Sequence, residues 1–283
     1  MLKPLLISSR PQQWYKNLVL FLGIILSGNV SNLDMWLEII PGFFVFCALS
    51  SAGYLINDVL DVERDRVHQV KYARPIPSGE LSATHAILFA SVFFSAGLTG
   101  AYFIDIDFLL LSGLYVILTI SYSLLLKRII GIDLLVISSG FVIRIAAGAA
   151  SIDIEATPWA IASVFLLAFV LVLEKRRLEL NQSGKDIRTD TPYPPNYTNR
   201  TTETLTVFVT STLIVVYSIS AILNGSLFMI LTIPLAAIGL IRYHIKVRRQ
   251  STTSEIEVVY KDRLIMLCLT AWVALIIVTF NDL

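Results

Sequence analysis

The sequence predicts an all-α polytopic membrane protein with nine transmembrane helices, and three observations lead there. Of its 283 residues, 55% are hydrophobic and only 15% are charged, where a soluble domain carries about 25% charge. The mean hydropathy is +0.73. The apolar residues also gather in runs of the length that a hydrocarbon core of ~30 Å requires, and nearly all the charge lies between the runs.

In chain order the expected spans are 15–29, 36–56, 84–104, 107–126, 132–151, 157–174, 204–223, 226–242 and 263–280. The first follows the polar stretch RPQQWYKN. No small-residue cleavage pattern follows its apolar run, so it is expected to stay as a helix and not to be removed as a signal peptide. The second runs straight into the carboxylates of NDVLDVERD. Only a turn at Asp105 to Asp107 separates the third from the fourth. The fifth carries Arg144 in GFVIRIAAGAA, followed by small residues, 146–151, that would let another helix pack closely. The sixth leaves the membrane through LEKRRLEL, and NGS divides the seventh from the eighth. The ninth starts at Arg263. Cys47 and Cys268 lie inside apolar runs without metal-ligand spacing and are expected as buried free thiols. A single catalytic domain over 1–283 is expected.

Every one of the 22 Lys and Arg residues except Arg144 lies at the N-terminus up to the entry of span one (Lys16) or in the segments after spans two, four, six and eight, counting Arg242 and Arg263 at the edges of the last. The linkers after spans one, three, five and seven hold none. This asymmetry places the N-terminus in the cytoplasm and the C-terminus outside, with an odd number of crossings. The long polar segments 57–83, 175–203 and 243–262 then share the cytoplasmic side, and a water-soluble reactant arrives from there. No basic, aromatic-studded surface suggests a nucleic-acid partner.

Asp58, Asp61 and Asp65 are spaced i, i+3, i+7, on one face of a helix, with Asn57 beside them. Stacked like charges beside hydrocarbon are unfavourable unless a cation neutralises them. Carboxylates at that spacing suit Mg²⁺, which takes one or two of them and leaves positions for substrate phosphates. The alternative is an exposed helix end whose acids pair with Arg64, Arg66 and Lys71. A second polar cluster, in LEKRRLELNQSGKDIRTD, holds Glu174, Lys175, Arg176, Arg177 and Glu179 with the pair Asp186 and Asp190. It supplies the cations that free phosphate oxygens need, or serves as a topology anchor. Arg144 sits mid-span, where a lone guanidinium costs at least ~2.5 kcal/mol; a structural ion pair and a buried polar cavity are both open. His68 reads as a loop histidine, and His85 and His244 carry no functional signal.

These residues together resemble the UbiA superfamily of intramembrane prenyltransferases, whose first acidic motif is matched by Asn57, Asp58, Asp61 and Asp65. One branch, the decaprenyl-phosphate phosphoribosyltransferases, is resembled more closely. The matches are Arg10-Pro11-x-Gln13-Trp14-x-Lys16-Asn17, Arg74-Pro75-Ile76 with Ser78-Gly79, and Tyr122-Ser123-x-x-Leu126-Lys127. Gly140 to Gly148 around Arg144, Lys175-Arg176-Arg177-x-Glu179-Leu180, Arg242-Tyr243 and Asp262-Arg263 follow. The chain departs from aromatic prenyltransferases of the superfamily where span six ends, because bases dominate there in place of a second acid-rich motif.

The resemblance implies a UbiA-like bundle with a cavity open to the cytoplasm, in a bacterial inner membrane. It implies a Mg²⁺-dependent transfer of the 5-phosphoribosyl group from phosphoribosyl diphosphate to a polyprenyl phosphate, with release of diphosphate. Asp58, Asp61 and Asp65 would hold the metal. Asn17, Asn57, Lys71, Arg74, Tyr122, Lys127, Arg144, Lys175, Arg176, Glu179, Asp186 and Asp190 are the further candidates for substrate contacts, with Lys16 placed to meet the lipid phosphate at headgroup level. Trp14 is read as an interfacial anchor. Prenyl transfer from a prenyl diphosphate to a small acceptor is the runner-up, and a secondary transporter is the reading from another class. A homo-oligomer is left open.

Overall fold

The structure is a computed structural model that describes residues 2–68, 70–183, 199–249 and 255–281. Every regular element among them is helical. Among the described residues, eight helices are long and apolar enough to cross a membrane. They coincide with the second to ninth expected spans, so the chain is an all-α integral membrane protein. Several run past the hydropathy limits: the sixth expected span stops at 174, whereas its helix continues to Ser183. Glu, Lys, Arg and Leu are good helix formers in water, so the helix outlasts the hydrocarbon-compatible stretch.

The first expected span differs. Residues Pro11–Phe21 form a 3₁₀ helix, and only Leu22–Leu26 (α2) is α-helical. With three residues per turn, positions i and i+3 eclipse. Trp14, Asn17, Leu20 and Gly23 therefore line one side, and Asn17, Leu20 and Gly23 are buried. At about 2.0 and 1.5 Å per residue, the eleven and five residues of these two pieces together rise about 27–30 Å. The segment thus has the reach of a bilayer core without being a regular helix.

The chain divides into two compact units. Unit one comprises Met1–Ile24 and Asn32–Ala156. It contains α1 (Leu2–Ser9), the 3₁₀ helix, α3 (Leu33–Leu60), α4 (Val62–Arg66), α5 (Ala83–Ile104), α6 (Ile106–Leu124) and α7 (Ile132–Ala150). Side-chain caps start three of these helices. Asn32 accepts from the backbone of Asp34 and Met35, Ser82 from His85, and Asp105 from Asp107 and Phe108, satisfying N–H groups that a first turn leaves open. The long α3 is the common partner of α1, the 3₁₀ helix, α5, α6 and α7. Leu20, Phe46, Leu49, Phe108, Tyr115 and Ile143 form its main core. A second core, of Leu5, Leu55, Ile76, Leu81, Ala86 and Ala90, lies toward the acidic end of α3. The small residues of α7 allow a close crossing, as their spacing suggests: a Cβ on Gly148 would overlap the backbone of Leu20.

Unit two comprises Ile25–Ser31 and Thr157–Leu283. It contains α8 (Pro158–Ser183), α9 (Asn199–Asn224), α10 (Leu227–Arg249), α11 (Glu255–Lys261) and α12 (Arg263–Asn281). One core joins Ala221, Met229 and Ile276 with Ile25, Leu26 and Phe280 around them. Another joins Leu178, Tyr243, Val247, Val258 and Ile265. Cys47 and Cys268 are buried free thiols, as expected.

Candidate active site

The carboxylates of the NDVLDVERD stretch are set by a break between two helices. α3 ends at Leu60, Asp61 takes φ −95° and ψ 3°, and α4 begins at Val62. Backbone bonds from Asp61 to Asn57 (3.0 Å) and from Asp65 to Asp61 (2.8 Å) carry the chain on nearly along the helix. The three aspartates, expected on one face, divide between two sets of cation partners.

The first group is buried. Asp58 and Asp65 are 1% and 2% exposed, and burial of a carboxylate is unfavourable unless it is paired and hydrogen-bonded. Arg10 donates to Asp58 Oδ1 at 2.5 Å, and Arg74 donates through one nitrogen to Asp58 Oδ1 at 3.2 Å and Asp65 Oδ2 at 2.6 Å. The sequence brings Arg74 here through a compact turn. Pro75 restricts the preceding residue to extended backbone, and Arg74 has φ −67° and ψ 152°. Pro75, Ile76, Pro77 and Leu81 are buried. Gly79 completes the turn at φ +86°, a conformation that suits glycine.

The second group is half-buried. Lys127, in the 3₁₀ turn Leu126–Arg128, donates to Asp61 Oδ1 at 2.7 Å and Asn57 Oδ1 at 3.1 Å. Arg10, Arg74 and Lys127, which the helix-end alternative did not name, pair with these acids, and Arg66 bonds Glu63. His68 accepts at Nδ1 from the backbone of Val70 and Lys71. Burial and the adjacent Lys71 charge push its pKa below the usual value, consistent with a neutral loop histidine.

The 3₁₀ helix lies antiparallel along α3. Ser51 donates to Ser9 O at 2.9 Å and accepts from Trp14 Nε1 at 3.1 Å, so Trp14 is anchored by a hydrogen bond. Deeper, Asn17 Nδ2 reaches Cys47 Sγ and Ser50 Oγ. Arg144 finds its partners here: Asn17 Oδ1 at 2.7 Å, Gly140 O at 2.8 Å and Tyr115 OH at 2.8 Å, with its guanidinium 4.7 Å from the Tyr115 ring centroid. Those partners are neutral, so the ion-pair alternative for Arg144 gives way to a hydrogen-bonded clamp. Cys47 and Asp58 are about 16 Å apart in helix rise, so Arg144 is separate from the carboxylates. Lys16 and Tyr122 are half-buried in the same unit, Lys16 with its ammonium 5.9 Å from the Tyr15 ring. Lys71 opens the short 3₁₀ turn Lys71–Ala73.

In unit two, Glu174 is fully buried on α8 and hydrogen-bonded through Oε1 to His244 of α10. Arg177 pairs with Glu203 at 3.3 Å, and Glu203 with Arg248 at 3.0 Å. His244, which had no functional signal in the sequence, is thus part of a buried polar network. Lys175 and Arg176 lie half-buried on α8, which also carries Glu179. Asp186 and Asp190 lie outside the described residues. Asp262 caps α12 and pairs with Arg242 (3.1 Å) and Lys246 (3.0 Å).

Arg10 is the site residue that sequence reasoning passed over as a candidate. Its signal was its place at the head of the RPxQWxKN motif.

Apolar spans with buried acids gripped by arginines at a helix end describe a membrane protein with a charged site at the edge of the hydrocarbon. Residues 18–269 match the UbiA prenyltransferase family, and the chain belongs to it. In sequence it resembles the decaprenyl-phosphate phosphoribosyltransferase of Mycolicibacterium smegmatis, 27% identical over 287 residues that cover 94% of this chain and 89% of that one. The uncharacterized protein y4nM of Sinorhizobium fredii is 33% identical over 170 residues; that match covers 60% of this chain but only 33% of the relative. In fold, a UbiA homolog from Archaeoglobus fulgidus bound to DMAPP and Mg²⁺ aligns with a TM-score of 0.76 at 18% identity, covering 96% of this chain and 98% of that one.

The donor set here fits such a metal in part. Asp58 and Asp65 already share one cationic nitrogen, as two carboxylates would share a divalent ion. No group of three acidic, His or Cys side chains converges among the described residues, because Asp61 turns to Lys127.

Proposed function

We propose that this protein transfers the 5-phosphoribosyl group of phosphoribosyl diphosphate to a polyprenyl phosphate at the cytoplasmic face of a bacterial inner membrane, using Mg²⁺. The observation that carries the reading is the convergence of Asp58 and Asp65 on one cationic centre, in a chain that resembles a decaprenyl-phosphate phosphoribosyltransferase over 94% of its length.

Asp58 and Asp65 are the proposed metal ligands, with Asp61 beside them. Bound Mg²⁺ would act as a Lewis acid on the diphosphate leaving group. Arg74 and Lys127 supply positive charge at the same helix end, and Lys71 lies on the loop that carries Arg74. The lipid phosphate is an anion at pH 7 and attacks ribose C1 through one oxygen. The C1–O bond to diphosphate breaks with its electron pair leaving on diphosphate, and C1 inverts. No general base is required. Lys16 is proposed to meet the lipid phosphate near headgroup level. Lys175, Arg176, Glu179, Asp186 and Asp190 are proposed phosphate-side residues on the sequence pattern alone.

Prenyl transfer to a small acceptor is the second reading, favoured by the A. fulgidus homolog being bound to DMAPP and Mg²⁺. Purified protein with Mg²⁺ is given labelled phosphoribosyl diphosphate and decaprenyl phosphate in one tube, and a prenyl diphosphate with a 4-hydroxybenzoate-type acceptor in another. Label entering the lipid phase in the first tube, and failing to do so with EDTA, is the expected result. Product only in the second tube overturns phosphoribosyl transfer and leaves the fold in place.

A further inference from the structure

We propose that Arg10 and a divalent cation are alternative partners of Asp58, so that Arg10 acts as an internal counter-ion that moves to the diphosphate when the cation binds. This rests on the metal–diphosphate reading above.

Four side chains form a neutral chain, Arg10–Asp58–Arg74–Asp65. Both carboxylates are buried, whereas the Arg10 and Arg74 side chains are 22% and 31% exposed. A divalent cation taken up by Asp58 and Asp65 competes with the guanidiniums for the same oxygens. The two freed arginines then leave the site with a surplus of two positive charges, which offsets most of the negative charge of an incoming diphosphate. Arginine suits both duties, because its planar fork bonds carboxylate and phosphate alike.

The surroundings of Arg10 allow its side chain to move while its backbone stays fixed. Arg10 sits between α1 and the 3₁₀ helix with φ 50° and ψ 58°, a left-handed conformation unusual for a residue with a Cβ. Its neighbours hold that conformation. Ser51 binds Ser9 O and Trp14 Nε1, and Gln13 donates its backbone N–H to Arg10 O at 2.8 Å. Ser51, Tyr54 and Asp58 are spaced i, i+3, i+7 on α3, so residues 9–14 dock along one face of that helix. The Arg10 guanidinium lies 5.0 Å from the centre of the Tyr54 ring, an aromatic surface that stabilises a cation during the exchange. The strained backbone therefore aims the guanidinium down this face at Asp58.

The test is Mn²⁺ binding by electron paramagnetic resonance on purified protein, alone and with inorganic diphosphate. Arg10→Gln removes the competitor, so Mn²⁺ alone binds at least about threefold tighter. It also removes a charge-assisted contact, so the Mn²⁺–diphosphate pair binds about tenfold weaker or worse. Arg10→Lys restores part of the second affinity, and Arg66→Gln, at the exposed pair with Glu63, changes neither. A parallel loss of both affinities with a lower melting temperature means that Arg10 only holds the fold, and overturns the proposal. Unchanged affinities overturn it as well. If the wild type binds no Mn²⁺ that Asp65→Asn removes, the metal reading itself falls, an outcome distinct from failure of the exchange.

Discussion

Asp65 holds the Arg74 guanidinium at 2.6 Å with only 2% of its side chain exposed, so a single oxygen-to-nitrogen change there separates stability from chemistry. Asp65→Asn removes the charge that balances Arg74. Because Arg74 is partly exposed, the destabilisation is about 1–3 kcal/mol, below the 3–5 kcal/mol of a fully buried pair. Loss of a metal ligand removes several kcal/mol of transition-state stabilisation, so turnover falls about a thousandfold. Asp65→Asn with Arg74→Gln is expected to recover the melting temperature and none of the turnover; recovery of activity in the double variant would refute a ligand role for Asp65. The sequence indicated these carboxylates through their spacing and indicated Arg74 and Lys127 through the resemblance. It did not indicate the pairing, because Arg10 and Lys127 reach α3 from residues 48 and 66 positions away, and helical periodicity is silent about such distances. Arg144 shows the same limit. Its mid-span placement announced a buried partner, but Asn17, Tyr115 and the Gly140 carbonyl come from three separate places in the chain.

Expected spans two to nine were legible because their apolar runs are long enough to cross a hydrocarbon core and are bounded by polar linkers. The 3₁₀ helix was hidden by the same reasoning, since hydropathy counts apolar residues and not residues per turn. Its signal is the three-residue spacing of Trp14, Asn17, Leu20 and Gly23, which a 3.6-residue period would rotate off one face. The start of α12 carries the prediction that belongs at this scale. Asp262 caps the helix through the backbone N–H groups of Leu264 and Ile265 while binding Arg242 and Lys246. The Lys246 contact, with help from the cap and Arg242, lowers its pKa from 3.8 to about 2. A carboxylate with a lowered folded pKa adds stability that is fully present above its unfolded value and lost as pH falls through the folded one. Asp262 therefore stabilises unit two above pH 3.8, and the contribution fades between there and about pH 2. The difference in melting temperature between wild type and Asp262→Asn should shrink across that window. Asp262→Ala should remain less stable than Asp262→Asn at its lower end, by the ~1 kcal/mol of a lost cap. A difference that stays constant with pH would remove the ion pairs from this account.

For the molecule as a whole, charge asymmetry and helix count give two answers that one experiment separates. Apart from Arg144, Lys and Arg are confined to alternate linkers, a pattern that requires an odd number of crossings. Eight helices meet the length and hydropathy of a span, and an odd total requires the 3₁₀ helix and α2 to cross as well. Their combined rise of about 27–30 Å is close to the ~30 Å core, and the Leu20–Gly148 crossing packs the segment against α7. Ser31, just past α2, then lies outside the cell, while Glu80, in the loop after α4, lies inside. Both are exposed. The two native thiols are buried and give little background for labelling. Ser31→Cys is expected to react with a membrane-impermeant maleimide in intact cells, and Glu80→Cys only after the membrane is opened. Lys3→Cys, exposed on α1 ahead of this segment, is likewise expected to react only after opening; if it reacts in intact cells together with Ser31→Cys, the first segment turns back within the membrane and the count is eight. The N-terminus would then share a side with residue 31, across the membrane from the basic linkers, and charge bias would not have set the position of the first segment.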